Sequence, residues 1–318
     1  MSEPLIREGC IETLFGIRQQ NPKRVKSRKI GMTYPNFKQS VWLLVLYILI
    51  AFGLTILIAI IGVIVDEPLH EHDYFFGLLS LVKFILILCY ISNRTDRTWT
   101  DMLALAIKNI DYDWRRWLSV GLSIFGLGIV LTELYNAVIS VLPMPDIFQD
   151  IFHQSVGKQT SYLSALFAAV VIAPLTEEVV FRGIILRGLL AHYTQNRAII
   201  WSAILFGLIH LNPWQFPGAF VLGLVFAYWV IQAGSLWPAI LGHALNNFLA
   251  TTFLHFDVPG FPVSEDFNVV VHNPWWLNVC GPILAVLGLW WFYQLAKCEE
   301  TDHREAEVEL EETLGCDN

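Results

Sequence analysis

Residues 41–65 read VWLLVLYILIAFGLTILIAIIGVIV, an apolar run with no Asp, Glu, Lys or Arg in it. A helix crosses the hydrocarbon of a bilayer with about twenty such residues, so this run reads as a transmembrane helix. Working outward, stretches that meet the same requirement, or nearly so, recur at 74–91, 117–142, 161–190, 198–212, 217–232, 236–253 and 275–296. The expected fold is therefore all-α, a polytopic membrane protein with about eight transmembrane helices. The fifth and sixth spans are short and separated only by Asn212, Pro213, Trp214, Gln215 and Phe216, which suits a tight helical hairpin.

Composition agrees. Of 318 residues, 55% are apolar and 15% charged, too few to cover a soluble globule with polar surface. The net charge of −8 does not call for a basic partner, because much of the acid lies after Lys297, in a run from Glu299 to Glu312 that reads as a solvated, partly disordered tail. Cys10, Cys89, Cys280, Cys298 and Cys316 are scattered, with neither a Cys-x-x-Cys pair nor zinc-finger spacing, so they read as ordinary thiols. Cys316 is followed by two residues, whereas a prenylation box needs three. The first forty residues are polar and basic and do not resemble a cleavable signal peptide.

Lys and Arg set the orientation, because basic loops stay cytoplasmic. Arg18, Lys23, Arg24, Lys26, Arg28, Lys29 and Lys38 precede the first span. Arg94, Arg97, Lys108, Arg115 and Arg116 follow the second, Arg197 the fourth and Lys297 the eighth. The opposite loops hold Lys158 alone. Eight crossings with both termini cytoplasmic satisfy this asymmetry, and Trp275, Trp276 and Tyr293 suit interfacial anchoring of the last span. The expected layout is a basic cytoplasmic segment at 1–40, one transmembrane domain at 41–297 and an acidic cytoplasmic tail at 298–318.

A charged side chain inside a span costs on the order of 3 kcal/mol unless it is paired or faces a wet cavity, which makes such residues functional candidates. They are Lys83, Glu133, Glu177, Glu178, Arg182 and Arg187, joined by the polar His210, His243, Asn246 and Asn247. In the fourth span Glu178 and Arg182 are four apart and can neutralise each other on one face. Glu177 points about 100° away without such a partner. A carboxylate without an internal cation in low dielectric suits a general base near neutrality. The structural alternative ties one acid to Arg182 and the other to Arg187 or a neighbouring helix.

His210 closes Phe206-Gly207-Leu208-Ile209-His210, where Ala203 and Gly207 let the helix approach a neighbour closely. Its plain alternative is an interfacial histidine bonded at a helix end. His243 and Asn247 share a face of the seventh span, where both can donate hydrogen bonds; gluing helices together is their structural alternative. Asn246 is expected to bond a neighbouring helix. Together these groups can activate water and stabilise an oxyanion, as an amide hydrolase requires. No Ser or Cys stands beside a His within a span, and His70-Glu71-His72 lacks zinc-protease spacing.

The ordered set Glu177-Glu178-x-x-x-Arg182, Phe206-x-x-x-His210 and His243-x-x-x-Asn247, the last preceded by Gly234-Ser235-Leu236-Trp237-Pro238, resembles the three motifs of the CAAX prenyl endopeptidase and bacteriocin-processing family of intramembrane proteases. The resemblance covers residues 160–250, on spans four to seven, and leaves the first three spans outside. It implies a catalytic core in which Glu177 activates water with help from His210, His243 and Asn247 hold the oxyanion, and Glu178 and Arg182 brace the site. Two cofactor readings follow from it: no metal, favoured because the Asn247 amide fits an oxyanion role better than ligation, or a zinc held by Glu177, His210 and His243. The partners implied are membrane lipid and a peptide or protein substrate, lipidated or not, with no nucleic acid. The expected location is a bacterial cell membrane or a photosynthetic internal membrane. Two other classes compete with the peptidase: a proton- or cation-coupled transporter, against which the absence of two similar halves counts, and a non-catalytic membrane adaptor that keeps the fold.

Overall fold

The computed structural model describes residues 34–66, 74–95, 98–100, 102–103, 113–150, 161–256, 258 and 266–315. The basic arm up to residue 33, Lys158 and the His70-Glu71-His72 run lie outside the described residues. The main helices are α1 Phe37–Val65, α2 Tyr74–Arg94, α3 Trp114–Val141, α4 Tyr162–His192, α5 Gln195–Leu208, α6 Phe216–Ala233, α7 Trp237–His255 and α8 Trp275–Gly315. No strand occurs among the described residues. The protein is an all-helical integral membrane protein.

Six of these helices, α1 to α4, α6 and α8, are long and apolar enough to cross a bilayer, short of the expected eight. The two exceptions have different causes. Helix α5 has 14 residues, and at 1.5 Å per residue it rises about 21 Å against a hydrocarbon thickness of about 30 Å. Helix α7 has 19 residues, but His243, Asn246 and Asn247 lower its hydropathy. A second departure is the acidic run expected as a partly disordered tail. It is helical to Gly315 as a continuation of α8. Glu, Ala, Leu and Arg propagate a helix well once the preceding span has met the nucleation cost.

The chain divides into two compact units. The first comprises Met1–Ile110, Ile172–Leu211 and Ala219–Ala239. Asn36 and Gln39 form a reciprocal capping box that starts α1. Helices α1 and α2 pair antiparallel, with Trp42 Nε1 donating to the Tyr90 hydroxyl at 3.0 Å and Lys83 Nζ lying 4.1 Å from the Tyr47 ring centroid. Their core residues Leu43, Leu44, Tyr47, Ile87 and Ile91 join Phe181, Ile185 and Leu189 of α4 and Phe206 of α5 in one buried cluster. The expected α5–α6 hairpin is present, and it is close. A Cβ built at Gly223 of α6 would meet the Cα of Ala203 in α5 at 3.0 Å. The opposite side of α1 leaves Leu49, Phe52, Ile56 and Ile60 exposed, a face suited to acyl chains.

The second unit comprises Asp111–Val171, Asn212–Gly218 and Ile240–Asn318. Asp113 caps α3, accepting from the backbone N–H and Nε of Arg115. That hydrogen bond from the guanidinium holds the Asp113 carboxyl below its usual range. Helices α3 and α8 run antiparallel through glycine contacts: a Cβ at Gly126 would strike the Ala285 backbone, and one at Gly288 the Ser123 backbone. At the far end of α3 the Glu133 carboxylate accepts from His272 Nδ1 at 2.7 Å, from the Asn273 N–H at 2.8 Å and from Asn278 Nδ2 at 3.1 Å. Glu133, one of the intramembrane charges singled out in the sequence, thus ties the segment before α8 to α3.

These contacts give a sharp expectation for two neighbouring glycines. Gly126→Ala forces a methyl group against main chain that cannot swing aside, so it should cost about 1–3 kcal/mol. Gly128 faces open space within 4 Å, so Gly128→Ala should be neutral or stabilise by up to about 1 kcal/mol through helix propensity. Denaturant unfolding of the purified protein in detergent micelles measures both. Equal stability of the two variants would contradict the close α3–α8 packing.

Candidate active site

Helix α4 carries the two acids, and its backbone is irregular around them. Residues Phe167–Ile172 and Val179–Leu186 are π-helical, and the α-helical turn Ala173–Glu178 lies between. Short π segments inside a helix are found often at functional sites. Pro174 supplies one local cause. In a π register the Ala169 carbonyl would be paired by the N–H five residues on, which is Pro174, and proline has none. The Asn247 amide takes its place, with Nδ2 donating to the Ala169 carbonyl at 2.8 Å. Thr176 Oγ1 donates to the Ile172 carbonyl at 2.8 Å one turn on.

Glu178 and Arg182 form the ion pair expected from their spacing, Arg182 Nη1 to Glu178 Oε1 at 2.9 Å, with both side chains 0% exposed. The guanidinium is held further by the Gly223 carbonyl, which accepts from Nη2 at 3.3 Å. It also stacks on aromatic faces, 4.1 Å from the Phe206 ring centroid and 5.3 Å from that of Phe226. Removing two charges from water is costly; these contacts offset part of that cost and fix α4 against α5 and α6. Glu177 is half-buried and stands outside that pair.

Sequence reasoning gave Glu177 no internal cation. The structure packs another helix, α2, against the Ala173–Glu178 turn, and α2 carries Lys83, whose Nζ lies 4.1 Å from the Tyr47 ring centroid. Lys83 was visible in the sequence as a charge inside the second span. Its neighbour was not, because the pairing joins residues far apart in the chain. Tyr47 gave no signal at all among the apolar residues of the first span.

His210 sits just past α5, in the turn that follows Leu208, and so outside the helical span in which it was expected. The chain reverses there, with Leu211 in the left-handed region at φ 51°. The His210 Nδ1 lies 2.9 Å from the Phe206 carbonyl. A carbonyl can only accept, so Nδ1 carries the hydrogen and, in the neutral ring, Nε2 carries the lone pair. The ring also packs edge-on against Phe206, centroids 5.3 Å apart. Phe206 therefore touches both the guanidinium of Arg182 and the imidazole of His210.

In α7, His243 is 5% exposed and Asn247 is half-buried. Asn246 was expected to bond a neighbouring helix. Its Nδ2 donates to Asn247 Oδ1 at 3.2 Å. With Oδ1 accepting from Asn246 and one Nδ2 hydrogen directed to Ala169, the Asn247 amide is fixed in orientation, and its second N–H is the one chemistry can use. Among the described residues no three His, Cys, Asp or Glu side chains are grouped to hold a metal ion.

Residues 159–249 match the family described as type II CAAX prenyl endopeptidase Rce1-like. That segment contains Glu177, Glu178, Arg182, His210, His243 and Asn247. Over 251 residues the chain is 27% identical to the uncharacterized protein YyaK of Bacillus subtilis (strain 168), across 72% of this chain and 76% of that protein. No solved structure matches the chain.

Proposed function

We propose that this membrane protein, with its Rce1-like segment, is an intramembrane endopeptidase that cleaves a peptide bond by direct attack of water. The observation that carries the proposal is the handling of the paired acids on α4. Glu178 is fully buried and ion-paired with Arg182. Glu177, half-buried beside it, is left for chemistry. In this reading Glu177 takes a proton from water, and Nε2 of His210 assists. The resulting hydroxide equivalent attacks the carbonyl carbon, and His243 and the oriented amide of Asn247 donate to the oxygen on which charge develops. Collapse breaks the C–N bond and returns the proton to the leaving amine. Glu178 and Arg182 brace the turn that carries the base.

The substrate class follows from the family description: a membrane-held peptide or protein cleaved near a lipidated end. We place residues 41–297 in the membrane as the functional domain, with the basic arm 1–40 and the acidic segment 298–318 both cytoplasmic. The membrane is a bacterial cell membrane or a photosynthetic internal one. The test is cleavage of prenylated and unprenylated peptides by the purified full chain in proteoliposomes, read by mass spectrometry. Cleavage at one defined bond, faster for the prenylated peptide, is the expected result. Intact peptides together with proton-coupled solute flux into the same vesicles would replace the peptidase with the transporter.

A further inference from the structure

Lys83 lies outside the segment that matches the family and takes no part in the three motifs, yet it places a cation inside a membrane span. Such a charge is retained only where something balances it. Its Nζ stands 4.1 Å from the centroid of the Tyr47 ring, and Tyr47 is 4% exposed. A ring face attracts an ammonium but does not neutralise it. Helix α2 packs against both α1 and the Ala173–Glu178 turn of α4, and Tyr47 shares one buried cluster with Val180 and Phe181, the residues that follow that turn, so the ammonium seated on Tyr47 faces the part of α4 that carries Glu177. Arg182, the cation one turn along α4, is already bonded to Glu178, donates to the Gly223 carbonyl and stacks on two rings.

We propose that Lys83 is the counter-charge and positioning residue of Glu177: its ammonium, seated on the Tyr47 ring, balances the carboxylate and holds it in place from outside the family-matched segment. Two neighbouring acids on one turn are thus served by two different cations, Arg182 from the same helix and Lys83 from α2. The buried Arg182 fixes the backbone. The more accessible Lys83 steadies the group that must exchange a proton. The catalytic half of this proposal rests on Glu177 being the base.

The experiment is a double-variant cycle on the purified full chain. Thermal unfolding in detergent is followed for the wild type, Lys83→Met, Glu177→Gln and the double variant. Lys83→Met should lower the unfolding midpoint, and that loss should be at least halved when residue 177 is already Gln, because no carboxylate is then stranded. In the peptide assay Lys83→Met should lower kcat about tenfold or more with KM changed by less than about twofold, and Lys83→Arg should recover much of the loss. If Lys83→Met fails to fold, Lys83→Gln takes its place in the cycle. Losses that simply add in the double variant, or a Lys83→Arg variant no better than Lys83→Met, overturn the pairing. Stability coupling that persists while Glu177→Gln still cleaves would uphold the pairing and overturn the role of Glu177 as base.

Discussion

Glu177→Gln lowers cleavage by about a hundredfold to ten-thousandfold while leaving yield and helicity unchanged, the range expected when a general base is removed. The carboxamide keeps the size of the side chain but cannot take a proton from water. Because Glu177 is half-buried and takes no part in the Glu178–Arg182 pair, its loss as an acid should lower the unfolding midpoint only by what Lys83 loses with its counter-charge and should not unfold α4. Its sequence neighbour behaves in the opposite way. Glu178→Gln weakens a fully buried ion pair, so it should appear first as lost stability. Initial rates in proteoliposomes, with circular dichroism on the same samples, separate the two. Full activity of Glu177→Gln would show that the chemistry had been assigned to the wrong carboxylate.

Arg182→Leu is expected to be the most damaging single change to stability, at about 3–5 kcal/mol, because it leaves the Glu178 charge buried without its partner. The Gly223 carbonyl loses a donor at the same time, and the Phe206 and Phe226 rings lose the guanidinium between them. Arg182→Lys keeps the charge but not the planar fork or the stacking, and it should recover only part of the loss. The pair of changes Glu178→Leu with Arg182→Met removes both charges and should be tolerated far better than either alone. Denaturant unfolding in detergent measures all three variants. If the double variant were as unstable as Arg182→Leu, the loss would come from packing and not from the stranded acid.

The sequence made the membrane fold legible because hydrophobic length is a local property, and 41–65 could be read with no knowledge of its neighbours. The i,i+4 spacing of Glu178 and Arg182 was equally local, and the pair forms with 2.9 Å geometry. What could not be read depends on contacts between distant segments or on backbone detail. The packing of α2, which carries Lys83, on the Ala173–Glu178 turn of α4 is one such contact. The π segments of α4 leave no periodicity signature, although Pro174 marks a carbonyl that needs an outside donor. His210 falls past its helix because the Leu211 reversal ends α5 earlier than hydropathy suggests. The span count of eight is not confirmed, for a physical reason: six helices meet both length and hydropathy, while α5 is short and α7 carries the polar His243, Asn246 and Asn247.

The most direct measurement of the central claim is cleavage of a membrane peptide by the purified chain in water enriched in oxygen-18, with hydroxylamine present in a parallel sample. Direct attack by water predicts one heavy oxygen in each new carboxylate and no hydroxamate, because the carbonyl carbon is never bonded to the protein. Formation of a hydroxamate would reveal an acyl intermediate on a side chain, and a peptide panel left wholly intact would deny that the protein hydrolyses peptide bonds at all.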